Sequence, residues 1–499
     1  MIPVPGFEGR RVAVFGLGRS GLTAARALKA GGALPVLWDD SVSSRMQAEA
    51  EGFAVEDLTV ADWSGFAALV LSPGAPLTHP KPHWTVGKAG DAGVEVIGDI
   101  ELFARAIAAL PEGERPKIVA ITGTNGKSTT TALIGWVLKQ AGMTVHVGGN
   151  IGIGVLALPA PTPGAVYVIE VSSYQLDLTT SFAPDVAILT NISPDHLDRH
   201  GGMEGYVAAK ARIFAHADLS LVGVDEDWGQ RMAAELEAGG RAGTRILTSA
   251  HPGESRDPVL SSETQASGDR GRSDPAQTDH SKDWVPAFAG MSGEIEAAPG
   301  RLTIGGRMAA DLTRARSLPG RHNAQNAAFA WAAARAVGVS HEAAVEGLLT
   351  FPGLAHRMEE VGRLGRVRFV NDSKATNADA ARQALSSYDR SFWVAGGRAK
   401  AGGIDDLEDL FPRVVEAFLI GEAAGPFAAR LGDTPHRISG DMASAVKAAA
   451  GAAAATGREE VVLLSPAAAS FDQYPDFEAR GEAFRAAVLD LGAVPASAA

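Results

Sequence analysis

Cysteine is absent from the 499 residues of the chain, which excludes disulfide bonds, a thiolate nucleophile and Cys-ligated zinc. The sequence also lacks any uninterrupted apolar run near the roughly 20 residues that span a bilayer. Its amino terminus lacks the basic region, apolar segment and small-residue cleavage site that make up a secretory signal. From these absences we expect a cytoplasmic protein without membrane insertion.

Basic residues are fewer than acidic ones, because 45 Lys and Arg face 58 Asp and Glu and leave a net charge of −13. This balance argues against nonspecific binding to nucleic acid or to an anionic membrane. Hydrophobic residues make up 46% of the chain and charged residues 21%, a globular composition. The chain is too long for a single core, and we expect three domains at 1–113, 114–350 and 351–499.

The stretch KIVAITGTNGKSTTT at 117–131 combines an apolar run, a glycine loop and the start of a helix. Backbone N–H groups of such a loop bind phosphate oxygens. Its lysine adds a charge for the β- and γ-phosphates, and the following hydroxyl can bind Mg²⁺. The strict pattern expects glycine where Ile121 stands. An ordinary turn is the alternative, but strand, loop and helix coincide. We therefore predict an ATP site formed by Gly123, Thr124, Asn125, Gly126, Lys127, Ser128 and Thr129.

A second glycine loop, GLGRSG at 16–21, lies between a predicted strand at 11–15 and a predicted helix. Asp39 and Asp40 end the next strand, near the spacing at which an acid meets a ribose in dinucleotide-binding folds. Ser72 follows a third strand, at the sheet edge where ligands bind. A nicotinamide dehydrogenase is one interpretation, but the same geometry holds any nucleotide diphosphate.

Acidic and histidine side chains follow two further predicted strands. Glu170 ends an apolar run, which is typical of an acid that holds a metal ion beside a nucleotide, although a solvated acid is the alternative. His196 lies in SPDHLDRH after the strand at 186–191 and indicates metal or phosphate chemistry, while His200 can equally be structural. Lys210 lies on a predicted helix, where composition alone does not distinguish it from a solvated lysine.

Strands continue to alternate with helices to the carboxyl end, which is typical of parallel α/β sheets with functional loops at the strand ends. We predict an α/β fold with a Rossmann-like N-terminal domain, a P-loop-type central ATPase domain and a Rossmann-like C-terminal domain. Residues 249–293 interrupt the pattern with Ser, Asp, Pro, Gly and Gln. We expect this segment to be a disordered insertion in a surface loop between two strands of a hairpin, 245–247 and 301–304.

The ends of this insertion are related through the genetic code. Residues 251–258, HPGESRDP, can be encoded by CATCCCGGCGAAAGCCGGGACCCA, and the reverse complement of that sequence encodes WVPAFAGM, which is 284–291 residue for residue. The relation ends at Ser261 and Ser281, whose codons cannot be complementary. We interpret the segment as a translated inverted repeat without a catalytic role. A DNA hairpin at these codons is the expected finding in the gene.

Eight motifs occur in the order found in the Mur ligases, the ATP-dependent amino-acid ligases of peptidoglycan precursor synthesis, and the chain resembles that family except at 249–293. The motifs are TGTNGKST, GGNIG, EVSSYQL, SPDHLDRH, AAK, GRHNAQN, AHRME and NDSKATN. The stretch SPAAASFDQYPDFEARGEAF is most similar to the member that adds D-glutamate. Ala468 stands where that member has cysteine, and Arg398-Ala399-Lys400 is an unusual form of the loop around its D-glutamate-binding lysine.

The resemblance implies that ATP converts the carboxylate of UDP-N-acetylmuramoyl-L-alanine into an acyl phosphate, which the amine of D-glutamate attacks. It implies ATP and two Mg²⁺ sites as cofactors, and we expect a monomer with small-molecule substrates. Another amino-acid ligase of the family and a folylpolyglutamate synthase remain alternatives. A nicotinamide dehydrogenase would leave Lys127, Glu170 and Lys210 unexplained, and a noncatalytic regulator would bind ATP without releasing phosphate.

The resemblance also implies residue roles. Lys127, Glu170, His196 and Lys210 are implied to be catalytic. Ser128, Glu170, His196 and a carbamylated Lys210 are implied to hold the two Mg²⁺ ions, because a carbamate oxygen ligates a cation that an ammonium would repel. The adenosine and γ-phosphate contacts are Asn326, Arg357 and Asp372. The D-glutamate contacts are Lys374, Thr376, Lys400, Ser470 and Phe477. The contacts of the UDP substrate are Gly18, Arg19, Ser20, Asp39, Asp40, Ser72 and, on its sugar-peptide side, Asn150.

Overall fold

A computed structural model describes residues 1–241, 243–248, 293–315, 317–400 and 402–496. The chain forms three sheets, which fall within 1–113, 114–350 and 351–499 in turn. This confirms the predicted α/β class with three domains, while the domain boundaries stay predictions. Among the described residues, no helix is long and apolar enough to cross a membrane.

The first sheet has five parallel strands in the order β3-β2-β1-β4-β5, which matches the order of a Rossmann half-fold extended by two strands. Apolar, β-branched runs buried on both faces explain these strands. The strands are β1 (Arg11–Phe15), β2 (Leu34–Trp38), β3 (Ala54–Val55), β4 (Phe66–Leu71) and β5 (Glu95–Ile97). The helices are α1 (Arg19–Ala30), α2 (Val42–Ala50), α3 (Trp84–Asp91) and α4 (Asp99–Ala108).

The central sheet has nine strands in the order β14-β13-β12-β11-β10-β9-β6-β8-β7. Its strands are β6 (Lys117–Thr122), β7 (Val145–Gly149), β8 (Val166–Glu170), β9 (Val186–Leu189), β10 (Leu219–Gly223), β11 (Gly243–Thr248), β12 (Gly293–Ala298), β13 (Arg301–Ile304) and β14 (Arg307–Asp311). Its helices are α5 (Lys127–Gln140), α6 (Ser173–Asp177), α7 (Leu197–His200), α8 (Met203–Ala211), α9 (Asp227–Ala238), α10 (Arg321–Ala336) and α11 (His341–Leu349). The phosphate-loop helix α5 packs on α10 and α11.

The third sheet has seven strands in the order β19-β18-β17-β20-β16-β15-β21. Its strands are β15 (Glu359–Leu364), β16 (Val367–Asn371), β17 (Ser391–Gly396), β18 (Val414–Ile420), β19 (His436–Gly440), β20 (Glu460–Leu464) and β21 (Val494–Pro495). Its helices are α12 (Ala378–Ser386), α13 (Ala424–Leu431), α14 (Met442–Ala455) and α15 (Phe477–Asp490). The strands from β19 to β16 are parallel, and β15 and β21 add an antiparallel edge.

The first two domains share a continuous hydrophobic core. One cluster of buried side chains joins residues of the first sheet and α4 to residues of β6, β8 and α6. Phe103 of α4 lies 5.5 Å from the ring of Tyr167 and 6.4 Å from the ring of Phe182, measured between centroids. Because interiors pack at close to crystal density, this shared core fixes the first domain against the central sheet.

The predicted hairpin around the insertion is wrong. β11 pairs with β12 in parallel, with Thr244 opposite Gly293 and Thr248 opposite Ala297. β12 in turn pairs antiparallel with β13, so 245–247 and 301–304 are not neighbours. The apolar pattern marks both strands but does not give their direction. Gly293 begins β12 and therefore does not belong to a disordered segment, whereas 249–292 lie outside the described residues.

This parallel pairing sets the design of a deletion experiment. The end of β11 and the start of β12 lie about 14 Å apart, because four residues of strand separate them at ~3.3 Å each. Parallel neighbours need a crossover of about a dozen residues or more, so a two-residue turn cannot replace the insertion. We expect that a Gly/Ser linker of about a dozen residues in place of 249–292 leaves enzymatic activity within about twofold, because lengthening or shortening a loop changes its closure cost by only ~0.6 kcal/mol per doubling.

A Gly/Ser replacement of the full original length, with the same thermal unfolding measurement, is the matched control for this deletion. Loss of activity in both variants, while both remain folded, would show that the sequence of the insertion has a function.

Candidate active site

The first glycine of the loop stands two residues later than the strict motif requires, because Ile121 is a strand residue. Ile121 is fully buried in β6, where it pairs with Glu170 of β8. The chain turns at Gly123, which has φ +146°, and a Cβ there would lie 1.9 Å from Thr190 Oγ1. Gly126 caps α5 with φ +80°, a conformation that favours glycine. The loop therefore has its glycines where the backbone needs them.

A cleft of about 560 Å³ lies between this loop and the third domain. It brings together residues that are more than 200 positions apart in the sequence. All predicted ATP-binding residues except Gly123 line it, as do Glu170 and four predicted substrate contacts. These lining residues are Thr124, Asn125, Gly126, Lys127, Ser128, Thr129, Asn326, Arg357, Asp372, Asn150, Lys374, Thr376 and Phe477.

Lys127 begins α5, and its side chain folds back over the loop. Its Nζ donates hydrogen bonds to the carbonyl oxygens of Gly123 at 2.9 Å and Thr124 at 2.8 Å. Burial lowers the pKa of Lys127, and the nearby carboxylate of Glu170 opposes that shift. An amine held at a helix N-terminus suits an anionic oxygen as its next partner.

Glu170 has one carboxylate oxygen engaged and one free. Its Oε1 accepts a hydrogen bond of 3.0 Å from Asn150 Nδ2, and the residue is only 3% exposed. Its Oε2 is buried and has no hydrogen-bond partner in the described structure. A buried carboxylate oxygen without a partner is costly, and a divalent cation would satisfy it. The donor set of Glu170 and the hydroxyl of Ser128 therefore fits Mg²⁺.

Lys210 is buried on α8, directly beneath the glycine loop. Its Nζ donates a 2.7 Å hydrogen bond to the carbonyl of Gly123 and lies 4.5 Å from the ring centroid of Tyr206. Burial lowers the pKa of Lys210 well below its usual range, and the charge of Lys127 adds to that shift. A solvated helix lysine would not have a pKa lowered in this way.

His196 caps the start of α7 with φ +54°, and its side chain is partly exposed. Its ring packs 4.9 Å from that of Tyr174, and its Nε2 lies 3.4 Å from Asp195 Oδ2. Partial burial lowers the pKa of His196. A neutral imidazole is the form that ligates metals. His200, in contrast, is buried and bonded to Ser173 Oγ at 3.0 Å, as a structural histidine would be.

The third domain contributes the buried carboxylate of Asp372 and the half-buried guanidinium of Arg357 to the cleft. Burial lowers the pKa of Arg357 and raises that of Asp372 to about 7, and each charge opposes the shift of the other. Asp372 accepts hydrogen bonds from Ser465 Oγ at 3.0 Å and the N–H of Met358 at 3.2 Å. The Nε of Arg357 is buried without a hydrogen-bond partner among the described residues, so this guanidinium can accept a further anionic ligand.

Two side chains of the third domain contact the glycine loop directly. Lys374 Nζ donates a 3.2 Å hydrogen bond to Ser128 Oγ and lies 5.0 Å from the ring centroid of Phe477. Burial lowers the pKa of Lys374 to about 8. Asp379 Oδ2 accepts hydrogen bonds from Asn125 Nδ2 and, at 3.2 Å, from Ser193 Oγ. These contacts close the cleft over the loop.

Three of the cleft residues that were not predicted from the sequence stand out for their contacts or their pKa. Asp379 lies in an ordinary first turn of α12, and its partner Asn125 is 254 positions away. Asn191 binds both the N–H and the carbonyl of Asn125, at 2.9 and 3.1 Å. His322 lines the cleft, and burial lowers its pKa to about 4. Only His322 had a sequence signal, because it lies in GRHNAQN.

The predicted residues of the first domain form a separate group at the carboxyl edge of its sheet. Asp39 does not point to solvent, because its Oδ2 accepts a 2.6 Å hydrogen bond from the N–H of Leu17 and its Oδ1 one of 2.7 Å from the N–H of Ser41. Asp40 is exposed. Arg19 donates a 2.9 Å hydrogen bond to the carbonyl of Gly152 in the central domain. Gly18, Ser20 and Ser72 lie beside these residues in the two neighbouring loops.

Two predicted D-glutamate contacts do not line the cleft. Lys400 is exposed and lines a smaller hollow with Phe427 and Arg430, although its charge also contributes to the lowered pKa of His196. Ser470 is buried after β20, where its carbonyl accepts hydrogen bonds from the N–H groups of Gln473 and Tyr474 at 3.1 and 2.9 Å.

Comparison with known proteins gives a consistent result. A family model for the Mur ligase middle domain matches residues 121–265. A UDP-N-acetylmuramoylalanine–D-glutamate ligase of Caulobacter sp. (strain K31) is 60% identical over 496 residues, covering 99% of this chain and 98% of that protein. The protein of the same name from Phenylobacterium zucineum (strain HLK1) is 57% identical over 100% of both chains.

Solved structures resemble the fold over nearly the whole chain. The UDP-N-acetylmuramate-alanine ligase MurC of Thermotoga maritima has a TM-score of 0.55 at 14% identity, covering 97% of this chain and 99% of its own. A pseudomurein peptide ligase type C of Methanothermus fervidus has a TM-score of 0.52 at 18% identity, covering 97% of this chain and 100% of its own. At these identities the likeness shows the fold alone.

Proposed function

Because the chain belongs to the family of UDP-N-acetylmuramoylalanine–D-glutamate ligases, we propose that it joins D-glutamate to UDP-N-acetylmuramoyl-L-alanine with hydrolysis of ATP to ADP and phosphate. The reaction is a step of peptidoglycan synthesis. Identity of 57% or more over the full length supports the family and the ligase activity. The residue roles given below are our proposals.

One observation carries this proposal beyond the family name. A phosphate loop, a buried acid with a free oxygen and a third-domain lysine line a single cleft. A carboxylate and an amine form only a salt at neutral pH, so the carboxylate must be activated before an amide can form. Phosphoryl transfer needs positioning and neutralised charge more than covalent help from the protein. A cleft lined by Lys127, Arg357 and Lys374 supplies three cations for that purpose.

We propose the following roles for the predicted site residues. The loop N–H groups and Lys127 hold the β- and γ-phosphates, and Arg357 takes the γ-phosphoryl oxygens. Asn326 and Asp372 bind the adenosine. Lys374, Thr376 and Phe477 bind D-glutamate together with Ser470 and Lys400, although these last two residues do not line the cleft in this structure. The incoming amine of D-glutamate attacks the activated carboxyl carbon, and phosphate leaves.

We propose two Mg²⁺ sites, which neutralise phosphate charge when occupied. Ser128 and Glu170 would hold one ion, and the free Oε2 of Glu170 supports this assignment. His196 and a carbamylated Lys210 would hold the other. The buried amine of Lys210 supports it, because CO₂ reacts with the neutral amine and the resulting carbamate carries the oxygens that Mg²⁺ prefers.

We propose that the UDP substrate binds the first domain. Its diphosphate would lie on the loop of Gly18, Arg19 and Ser20, with Asp39, Asp40 and Ser72 around it and Asn150 toward the sugar and peptide. Asp39 would act through the loop backbone that it holds rather than through direct contact with a ribose. We further propose that the enzyme works in the cytoplasm as a monomer.

The direct test is phosphate release from ATP in the presence of UDP-N-acetylmuramoyl-L-alanine and one of four amino acids. We expect release with D-glutamate to exceed release with L-glutamate, L-alanine or meso-diaminopimelate by at least on the order of 10²-fold, because a site built for specific polar contacts rejects ligands that leave those contacts unpaired. Preference for another amino acid would reassign the chain to a different ligase of the family, and no release with any of them would refute the proposal.

A further inference from the structure

The segment after Glu170 connects the proposed metal site to the first domain. Two residues separate β8 from helix α6, and Ser172 caps the helix in a reciprocal capping box with Gln175. Gln175 Oε1 accepts hydrogen bonds of 3.1 Å from both the N–H and the Oγ of Ser172. Tyr174, on the same helix, packs its ring against His196. The position of α6 therefore bears on both Glu170 and His196.

The other end of the Gln175 side chain crosses to the first domain. Its Nε2 donates to both carboxylate oxygens of Asp99, at 3.2 and 3.1 Å. Asp99 is the first residue of α4 and is only 4% exposed, and Gln175 is 3% exposed. A backbone hydrogen bond joins the same two segments one residue before Asp99, because the N–H of Gly98 donates to the carbonyl of Leu178 at 3.0 Å.

The same carboxylate also reaches the diphosphate loop. The hydroxyl of Ser20 lies near enough to this carboxylate to lower the pKa of Asp99, and Ser20 lies in the first turn of α1 within the loop GLGRSG. Asp99 Oδ1 also accepts a 2.9 Å hydrogen bond from the N–H of Ile100 in its own helix. Burial raises the pKa of Asp99, and these donors oppose the shift.

We infer that Asp99 and Gln175 are positioning residues that couple the binding of the UDP substrate to the metal and nucleotide site. A diphosphate on loop 16–21 competes for the hydroxyl of Ser20 or reorients it. The hydrogen bonds between Gln175 and Asp99 then change. Gln175 in turn changes the position of α6 and, with it, the position of the end of β8. The chain of contacts runs from Ser20 through Asp99 and Gln175 to Ser172, without an exposed link. This inference rests on the proposed binding of UDP-N-acetylmuramoyl-L-alanine to the first domain.

The same helix offers an internal comparison. Glu101 is another buried carboxylate of α4 at this interface, and it accepts hydrogen bonds from the N–H groups of Thr180 and Ser181 at 2.8 and 2.9 Å. Among the described residues, its other partners are the hydroxyls of those two residues and Arg105. Glu101 therefore supports the interface without bonding to the diphosphate loop. If Asp99 had a purely structural role, substituting Asp99 and substituting Glu101 would have the same effect on the coupling.

The experiment measures one coupling factor by titration calorimetry on the full-length protein. The affinity for a nonhydrolysable ATP analogue with Mg²⁺ is determined with and without saturating UDP-N-acetylmuramoyl-L-alanine. We expect the UDP substrate to change this affinity by roughly fivefold or more in the wild type, within the usual range of coupling between sites. In Asp99→Asn we expect the factor to fall below about twofold, because the new amide faces the amide of Gln175.

The double variant Asp99→Asn with Gln175→Glu exchanges the acid and the amide between the two positions, and we call it the exchanged pair. It separates a loss of coupling from a loss of folding. Glu at position 175 still accepts from Ser172 in the capping box, and its second oxygen accepts from the new amide at 99. We expect the coupling factor to return to within about twofold of the wild-type value. Gln175→Glu alone sets two carboxylates against each other and should lose the coupling. Glu101→Gln should lower the unfolding temperature while the coupling factor stays at its wild-type value.

Each outcome bears on one conclusion only. If the wild type does not bind UDP-N-acetylmuramoyl-L-alanine, the proposed function fails. If it binds both ligands without coupling, or if Asp99→Asn retains the coupling, the function stands and the role of Asp99 is refuted. Loss of coupling in Glu101→Gln, or failure of the folded exchanged pair to restore it, would likewise assign the effect to the interface as a whole.

Discussion

Replacing Lys127 with alanine is expected to reduce the rate of ligation by a factor on the order of 10²–10³ or more, as for the loss of one preorganised charge from a phosphoryl transition state. The side chain lies at the start of α5 and bonds only to loop carbonyls, at 2.9 and 2.8 Å. These bonds make it available to phosphate oxygens without breaking a salt bridge. Steady-state phosphate release with saturating D-glutamate measures the effect.

Lys139→Ala is the matched control for that variant. Lys139 lies in the last turn of the same helix and is exposed, so its removal deletes an equal charge outside the cleft. We expect its turnover to remain within about twofold of the wild type, as for a surface substitution away from any site. Turnover near the wild-type rate in Lys127→Ala would exclude the assignment of this loop to ATP.

Replacing Lys210 with alanine is expected to leave almost no activity, a loss on the order of 10³-fold or more. The physical reason is the removal of a group that, as a carbamate, would supply oxygens to a divalent cation. Added acetate or formate should restore part of the rate by placing a carboxylate in the vacated space. The wild-type protein equilibrated with ¹³C-labelled CO₂ should show the NMR signal of a carbamate carbon, and the Lys210→Ala variant should lack it.

The rescue by short carboxylates has an internal control. The same additions should not raise the rate of Lys127→Ala, because that variant lacks a cation and not an oxygen ligand. An unmodified amine at Lys210 in a high-resolution map of the Mg²⁺-bound enzyme would refute the carbamate, and so would a variant whose rate the additives leave unchanged.

Local patterns predicted the fold and the glycine loop well. The run 118–121 is apolar and β-branched, and the structure places it in β6, buried on both faces. Alternation of such runs with helical segments predicted three α/β domains, and the structure has one parallel or mostly parallel sheet in each. These features depend on residues within about ten positions of one another, so they can be recognised from a single sequence.

Features that depend on distant pairings were missed. The direction in which β12 pairs with β11 depends on the path of the chain between them, and the side-chain pattern of a strand is the same in either orientation. The contact of Asp379 with Asn125 and that of Asp99 with Gln175 join residues 254 and 76 positions apart. The local sequence around these residues does not indicate their partners, because an acidic residue in the first turn of a helix is common.

The hydrogen bonds from Lys374 to Ser128 and from Asn125 to Asp379 tie the third domain to the loop that must receive the nucleotide. We expect nucleotide binding at this loop to compete with these two bonds, because both of them use loop side chains, Ser128 and Asn125. Parting of the third domain from the loop would then accompany the arrival of ATP and the departure of ADP. Such a domain movement can limit turnover as much as the chemical step does, as in enzymes whose lids open to release product.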